Sequence, residues 1–298
     1  MDSARLPIGF IHSLASLLSL LMCLRILSII VLNKEHRRSE SLQLLASICV
    51  LQGCEMVFTL IADVLLAADV DFGFLVSNIL GSGSIICFVG ESFQKFILAF
   101  HRFITVTGLQ NRCFLGSAWF HKAFIAIPWI IVLALVASCY FQFTSFTLVK
   151  DVNAWIYTEE TFVRSFEKIC ALTLISIGLL LYISICGLLI KKRGNGASKT
   201  EIRLLLAFFF DFFYVVILVF SFHILPNFVD YSITTVWVIN FFWQFLPFVG
   251  GVVLLIINKQ IRQHFFSLSK TKAPVVVTLS AVTKAKKSQV IYVSRALS

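Results

Sequence analysis

Residues 8–32 read IGFIHSLASLLSLLMCLRILSIIVL, an apolar run broken by a single charged side chain, Arg25. A helix needs about 20 such residues to cross the ~30 Å hydrocarbon core of a bilayer, and this run has more. It is also too long for the apolar region of a secretory signal and carries no small-residue cleavage site. It is therefore expected to stay in place as a helix.

Six further runs of similar length come after it, at roughly 42–66, 74–100, 121–147, 168–190, 202–225 and 232–257. The sequence thus predicts an all-α membrane protein, a seven-transmembrane helix bundle. Of the 298 residues, 59% are hydrophobic and 13% charged, more apolar surface than a soluble domain of this length can bury. The net charge of +10 at first suggests a nucleic-acid binder. However, the basic residues fall in short clusters between apolar runs and are not interleaved with aromatics on a soluble face. The expected partner is the lipid bilayer, and no nucleic acid.

Those clusters set an orientation. The odd-numbered connections and the C-terminal stretch hold nineteen Lys and Arg residues, among them Lys34, Arg37, Arg102, Lys191, Lys192, Arg193, Arg203 and Arg262. The N-terminus and even-numbered connections hold four: Arg5, Lys150, Arg164 and Lys168. Basic connections stay in the cytoplasm, so the expectation is a multi-pass plasma-membrane protein with its N-terminus extracellular and its C-terminus cytoplasmic. After Asn258, the residues Ile261, Phe265, Phe266 and Leu268 recur at helical spacing, which predicts a short amphipathic helix on the inner leaflet. The expected organisation is a membrane domain over 1–268 and a basic flexible cytoplasmic tail over 269–298.

Six charges fall inside apolar runs: Arg25, Glu55, Asp63, Glu91, Lys95 and Asp211. Each costs at least ~2.5–3.5 kcal/mol at bilayer depth, so each is expected to face the bundle and find a partner. Asp63, near an outer helix end, is the exception and is expected to be interfacial. Arg25 is expected to snorkel partly toward the inner surface. Glu91 and Lys95 stand i, i+4 with Glu first, the favourable order for a helical ion pair. In the outer halves, Ser84, Phe222, His223, Asn240, Trp243 and Gln244 are the candidate ligand-pocket residues. The aromatic runs at 208–213 and 241–245 read more readily as packing or lipid-facing surface. No C-x-x-C pair points to a structural metal. No H-E-x-x-H, G-x-S-x-G or P-loop occurs, so neither an enzyme nor a cofactor is expected. Cys139 and Cys170 flank the second outer connection, as either a disulfide or two free thiols.

Several stretches resemble the nematode serpentine chemoreceptors of class X, and more distantly the rhodopsin-like receptors. They are His101-Arg102-Phe103 at the end of the third run; Cys139-x-Phe141, Trp155 and Cys170 around the second outer connection; Glu201-Ile202-Arg203 with Asp211 beyond it; and Trp243, Gly251 and Asn258–Arg262. The chain departs at His101, where those receptors carry Asn, and at Pro247 and Gly250, where they carry His and Asp. The resemblance implies a rhodopsin-like topology and a G-protein-coupled chemosensory receptor, with a small-molecule ligand and a heterotrimeric G protein as partners. It also implies that Arg102 latches to Glu201 at the inner surface. The G protein would face Arg102, Lys191, Lys192, Arg193, Arg203, Asn258 and Arg262. If Arg102 and Glu201 mark one plane, Lys95 and Asp211 differ in height by only about 4.5 Å, and a lysine stem can span that gap. In the receptors this chain resembles, the third and sixth helices are neighbours and the sixth swings outward, so the resemblance implies that a Lys95–Asp211 pair, with Glu91 as the competing partner of the lysine, belongs to the activation switch. Two other classes stay open on the residues alone: a small ion or solute transporter using the intramembrane charges, and a non-coupling membrane scaffold.

Overall fold

The computed structural model describes residues 5–70, 73–109, 117–141, 146–149, 154–157, 161–192 and 199–267. The side chains of 5, 118, 139–141, 190, 192, 199–205 and 207 are not among those described. The chain divides into two units, Met1–Phe265 and Phe266–Ser298, and only Phe266 and Ser267 of the second are described.

The elements are α1 (Arg5–Leu32), α2 (Lys34–Arg38), α3 (Glu40–Ala67), α4 (Gly73–Thr107), α5 (Ala118–Phe141), β1 (Phe146–Val149), β2 (Ala154–Tyr157), α6 (Phe162–Lys192), α7 (Lys199–His223), α8 (Ile233–Ile257) and α9 (Lys259–Phe266). Seven helices, α1 and α3 to α8, are long and apolar enough to cross a membrane. Their outward faces carry large apolar side chains such as Leu21, Ile130, Leu180 and Phe210, all exposed. A membrane would cover such a surface, whereas water would not tolerate it.

The helices close into a ring. α1 packs on α3, α3 on α4, α4 on α6, α6 on α7, α7 on α8, and α8 back on α1, while α5 sits outside against α4. Polar contacts fix the antiparallel register of the first pair. Ser16 Oγ donates to Asp63 Oδ2 at 2.9 Å, and Cys23 Sγ lies 3.7 Å from Gln52 Oε1, so one residue number rises as the other falls.

Local chemistry explains several of the ends. Asn33 Oδ1 accepts from Glu35 N and caps α2. Burial, together with the neighbouring His264 ring, holds the His36 imidazole below its ordinary value. Asn258 Oδ1 accepts from Gln260 N and Ile261 N and starts α9. Arg262 Nη1 donates to Leu255 O and Ile256 O, satisfying carbonyls that the end of α8 leaves open. Arg25 is not merely snorkelling. Its Nη2 donates to His264 O and to Phe265 O at 2.8 Å, tying α1 to the last carbonyls of α9.

Three expectations are corrected. The third helix does not end with His101-Arg102-Phe103, because α4 continues to Thr107 and places these residues inside a helix. The fourth run stops at Phe141, and Phe146 and Thr147 belong to a strand. Their β-branched and aromatic neighbours pair antiparallel with Ala154–Tyr157, in the register Phe146↔Tyr157 and Leu148↔Trp155. Among the described residues, the bundle is therefore helical with one inserted pair of antiparallel strands. Thirdly, Asp63 is no exception and faces the bundle like the other charges. It is 1% exposed, because Ser16 and Gln244 supply donors that replace water.

Candidate functional site: a capped cavity and a buried ion cluster

The hairpin lies in the mouth of the bundle, with Phe146, Leu148, Ala154 and Trp155 buried. Two hydrogen bonds pin it. Leu148 N donates to Ser77 Oγ of α4 at 2.9 Å, and Trp155 N donates to Asn240 Oδ1 of α8 at 3.2 Å. Gly81 makes the close approach possible, since a Cβ there would stand 1.8 Å from Phe146 O. Phe146 stacks on Trp155 with centroids 5.4 Å apart, and Phe222 reaches Phe146, Tyr157 and Trp243.

These rings enclose a cavity of about 20 Å³ lined by Ser84, Trp155, Glu167, Phe222, Asn240 and Trp243, among others. That is room for a water molecule and too little for an organic ligand. Four of the six pocket residues expected from sequence line it: Ser84, Phe222, Asn240 and Trp243. His223 lies behind it, where its Nε2 is 3.1 Å from Glu167 Oε1. Tyr157 OH donates to the other oxygen of Glu167 at 3.3 Å. Burial and that carboxylate push the Tyr157 phenol well above its usual range, which keeps it a donor. Gln244 does not reach this cavity, because its amide is taken by Asp63. Sequence reasoning missed Glu167, because a single acidic residue near a helix start carries no signal of its own.

Toward the opposite end lies the ion cluster. Lys95 of α4 is 3% exposed, and its Nζ stands 2.8 Å from Glu91 Oε1 and 2.8 Å from Asp211 Oδ2 of α7. Gln52 Nε2 of α3 donates to Glu91 Oε1 at 2.9 Å. The three helices thus share one chain of polar contacts. Asp211 fits because α8 carries glycine opposite it. A Cβ on Gly250 would stand 2.7 Å from Asp211 Oδ1. A second cavity, of about 40 Å³, borders Gln52, Lys95, Phe208, Asp211, Pro247 and Gly250. The ring of Pro247 removes the donor that would have bonded the Trp243 carbonyl. Neighbouring helices support this turn, where Ser19 Oγ donates to Gln244 O and Tyr214 OH to Phe242 O.

Trp243 links the two regions. It lines the upper cavity, lies 4.5 Å from the Phe88 ring, and donates Nε1–H to Glu55 Oε1 at 3.2 Å. Phe88 sits one turn before Glu91 on α4.

The remaining expected residues lie elsewhere in the bundle. The Arg102 guanidinium is 6.0 Å from the Phe208 ring of α7. The Glu201 side chain of the expected latch lies outside the described residues, as do the side chains of Lys192 and Arg203 and all of Arg193. Lys191 is exposed. Asn258 and Arg262, expected to face a G protein, are engaged in capping α9 and α8. Cys170 is a free thiol of intermediate exposure, and the Cys139 side chain lies outside the described residues. The helix of Cys170, α6, packs on α4 and α7, whereas the α5 of Cys139 packs on α4 and α3. No protein-family model matches this chain, and no curated protein matches its sequence.

Proposed function

We propose that this chain is a G-protein-coupled chemosensory receptor in the plasma membrane, with the hairpin end and N-terminus outside and the C-terminus in the cytoplasm. The observation that carries the reading is the Lys95–Asp211 contact, a discrete buried link between α4 and α7 beneath a capped aromatic cavity. The helix order, with α5 outside a closed ring, supports a rhodopsin-like topology. A small, largely apolar ligand would displace Trp155 and Phe222 from each other and move Trp243. Trp243 touches both Phe88 and Glu55, so its movement reaches the ion cluster. A ligand favouring the separated state shifts the equilibrium by its difference in affinity for the two states. The cytoplasmic ends of α4 and α7, with Arg102 and Lys191, would then admit the G protein.

A ligand screen with a G-protein readout in a heterologous cell tests this reading. A ligand whose response disappears in Trp243→Ala at matched surface expression is the expected result. The continuous chain Gln52–Glu91–Lys95–Asp211 favours a second reading, an ion relay. Ligand-independent current or uptake in reconstituted liposomes, with no G-protein response, would select it.

The orientation has its own test. Epitope tags at the two ends are expected to stain on intact cells at the N-terminus, and only after permeabilisation at the C-terminus. The basic asymmetry of the connections is the reason. A C-terminal tag visible on intact cells would overturn the orientation and with it the receptor reading.

A further inference from the structure

We propose that Glu40, His101 and His121 form a binding site for a divalent transition-metal ion of the zinc class, joining α3, α4 and α5. This proposal does not depend on the receptor reading. The three residues are far apart in sequence, yet one nitrogen of each imidazole and one Glu40 oxygen lie within 4.8 Å of one another. Glu40 is in the first turn of α3, His101 in the last third of α4, and His121 near the start of α5. His101 Nε2 is 3.0 Å from Glu40 Oε2, and the two imidazole centroids are 5.7 Å apart. Zinc takes imidazole nitrogen and carboxylate oxygen at ~2.0–2.2 Å in a tetrahedron, so the ligand atoms must close by at most about 1.5 Å. Two histidines and one carboxylate leave the fourth position to water.

A hydrogen-bond chain prepares His121 for the role. Gln43 Nε2 donates to Arg37 O at 2.8 Å, which turns Gln43 Oε1 toward His121. That oxygen only accepts, so the proton of the neutral imidazole sits on Nε2, 2.8 Å away. The lone pair is left on Nδ1. This atom is buried and has no hydrogen-bond partner among the described residues. A buried acceptor without a donor costs free energy, and a metal ion ligated through this nitrogen would satisfy it. Fixing the tautomer of a ligating histidine through its other nitrogen is a regular feature of metal sites. When occupied, the site pins three helices together at the end of the bundle that carries Arg102.

The test uses the full chain, purified in detergent, stripped with chelator and titrated with zinc against a fluorescent zinc indicator. One zinc per chain is expected. His101→Ala and His121→Ala should abolish binding, and Gln43→Leu should weaken it ~10–100-fold as a residue that only orients a ligand. Cobalt in place of zinc should show the visible bands of a tetrahedral site, and these should vanish in both histidine variants. Glu40→Gln removes a half-exposed ligand without disturbing the core, so its loss of affinity cannot be ascribed to misfolding. His36→Ala and His264→Ala, at a separate histidine pair, should change nothing. Wild-type zinc affinity in His101→Ala, His121→Ala or Glu40→Gln would overturn the site, as would binding that instead depends on His36 and His264.

Discussion

Lys95→Ala is expected to destabilise the folded bundle by ~3–5 kcal/mol, because it strands buried Glu91 and Asp211 without their cation. The three substitutions of this cluster should not cost the same. Lys95 is 3% exposed and holds two carboxylates, whereas the Asp211 side chain is 16% exposed. Asp211→Asn leaves Lys95 paired with Glu91 and should therefore cost less than Lys95→Ala. Glu91→Gln leaves the α4–α7 link intact and should cost stability without raising basal signalling. The exchange of Lys95→Asp with Asp211→Lys should recover part of the loss, but not all, since the new Asp would face Glu91 one turn away. Thermal unfolding in detergent measures the stability order, and, on the receptor reading proposed above, basal G-protein activation at matched surface expression measures the switch. A Lys95→Ala protein as stable and as quiet as wild type would remove the basis for the mechanism.

Among the described glycines, Gly81→Ala should be the most damaging addition of a methyl group. The new Cβ would collide with the Phe146 carbonyl, a backbone atom that cannot rotate away. The hairpin must lift, loosening the Leu148–Ser77 bond and separating Trp155 from the cavity. Forced repacking of this kind typically costs ~1–3 kcal/mol. Gly187→Ala in α6 is the internal control, because nothing lies within 4 Å of its added Cβ. There, removing a flexible glycine from a helix should stabilise by roughly 0.5–1 kcal/mol. The two substitutions are chemically identical and should move the unfolding temperature in opposite directions. If both move it alike, the hairpin does not sit against α4 as described. Protease sensitivity of the 146–157 segment should rise only in Gly81→Ala.

Sequence reasoning reached the Lys95–Asp211 contact through height. The helical rise is fixed, so counting residues from an assumed common plane places two side chains at similar depth. The same reasoning could not place Asp63, because burial there depends on Ser16 and Gln244 arriving from two other helices. It also could not separate Gln244 from Trp243. The two are neighbours on α8, yet one turns toward α3 and Asp63 and the other toward the aromatic cavity. The zinc-class site was invisible for the same reason. Glu40, His101 and His121 show no ligand spacing in the chain and meet only where three helices converge.

By itself, the sequence determined the seven apolar helices, the basic bias of alternate connections and the short helix after Asn258. Each is a property of a continuous segment, readable from hydropathy or charge along the chain. The tertiary structure alone decided which face of each helix turns inward, and with it every cross-helix pair. A helix apolar nearly all round has no polar stripe to announce its orientation, so its rotation is fixed by small residues and polar contacts on its neighbours. The hairpin is the clearest case. Phe146–Val149 and Ala154–Tyr157 are too short to be stable as isolated strands, and they hold their place only because Ser77, Gly81 and Asn240 receive them.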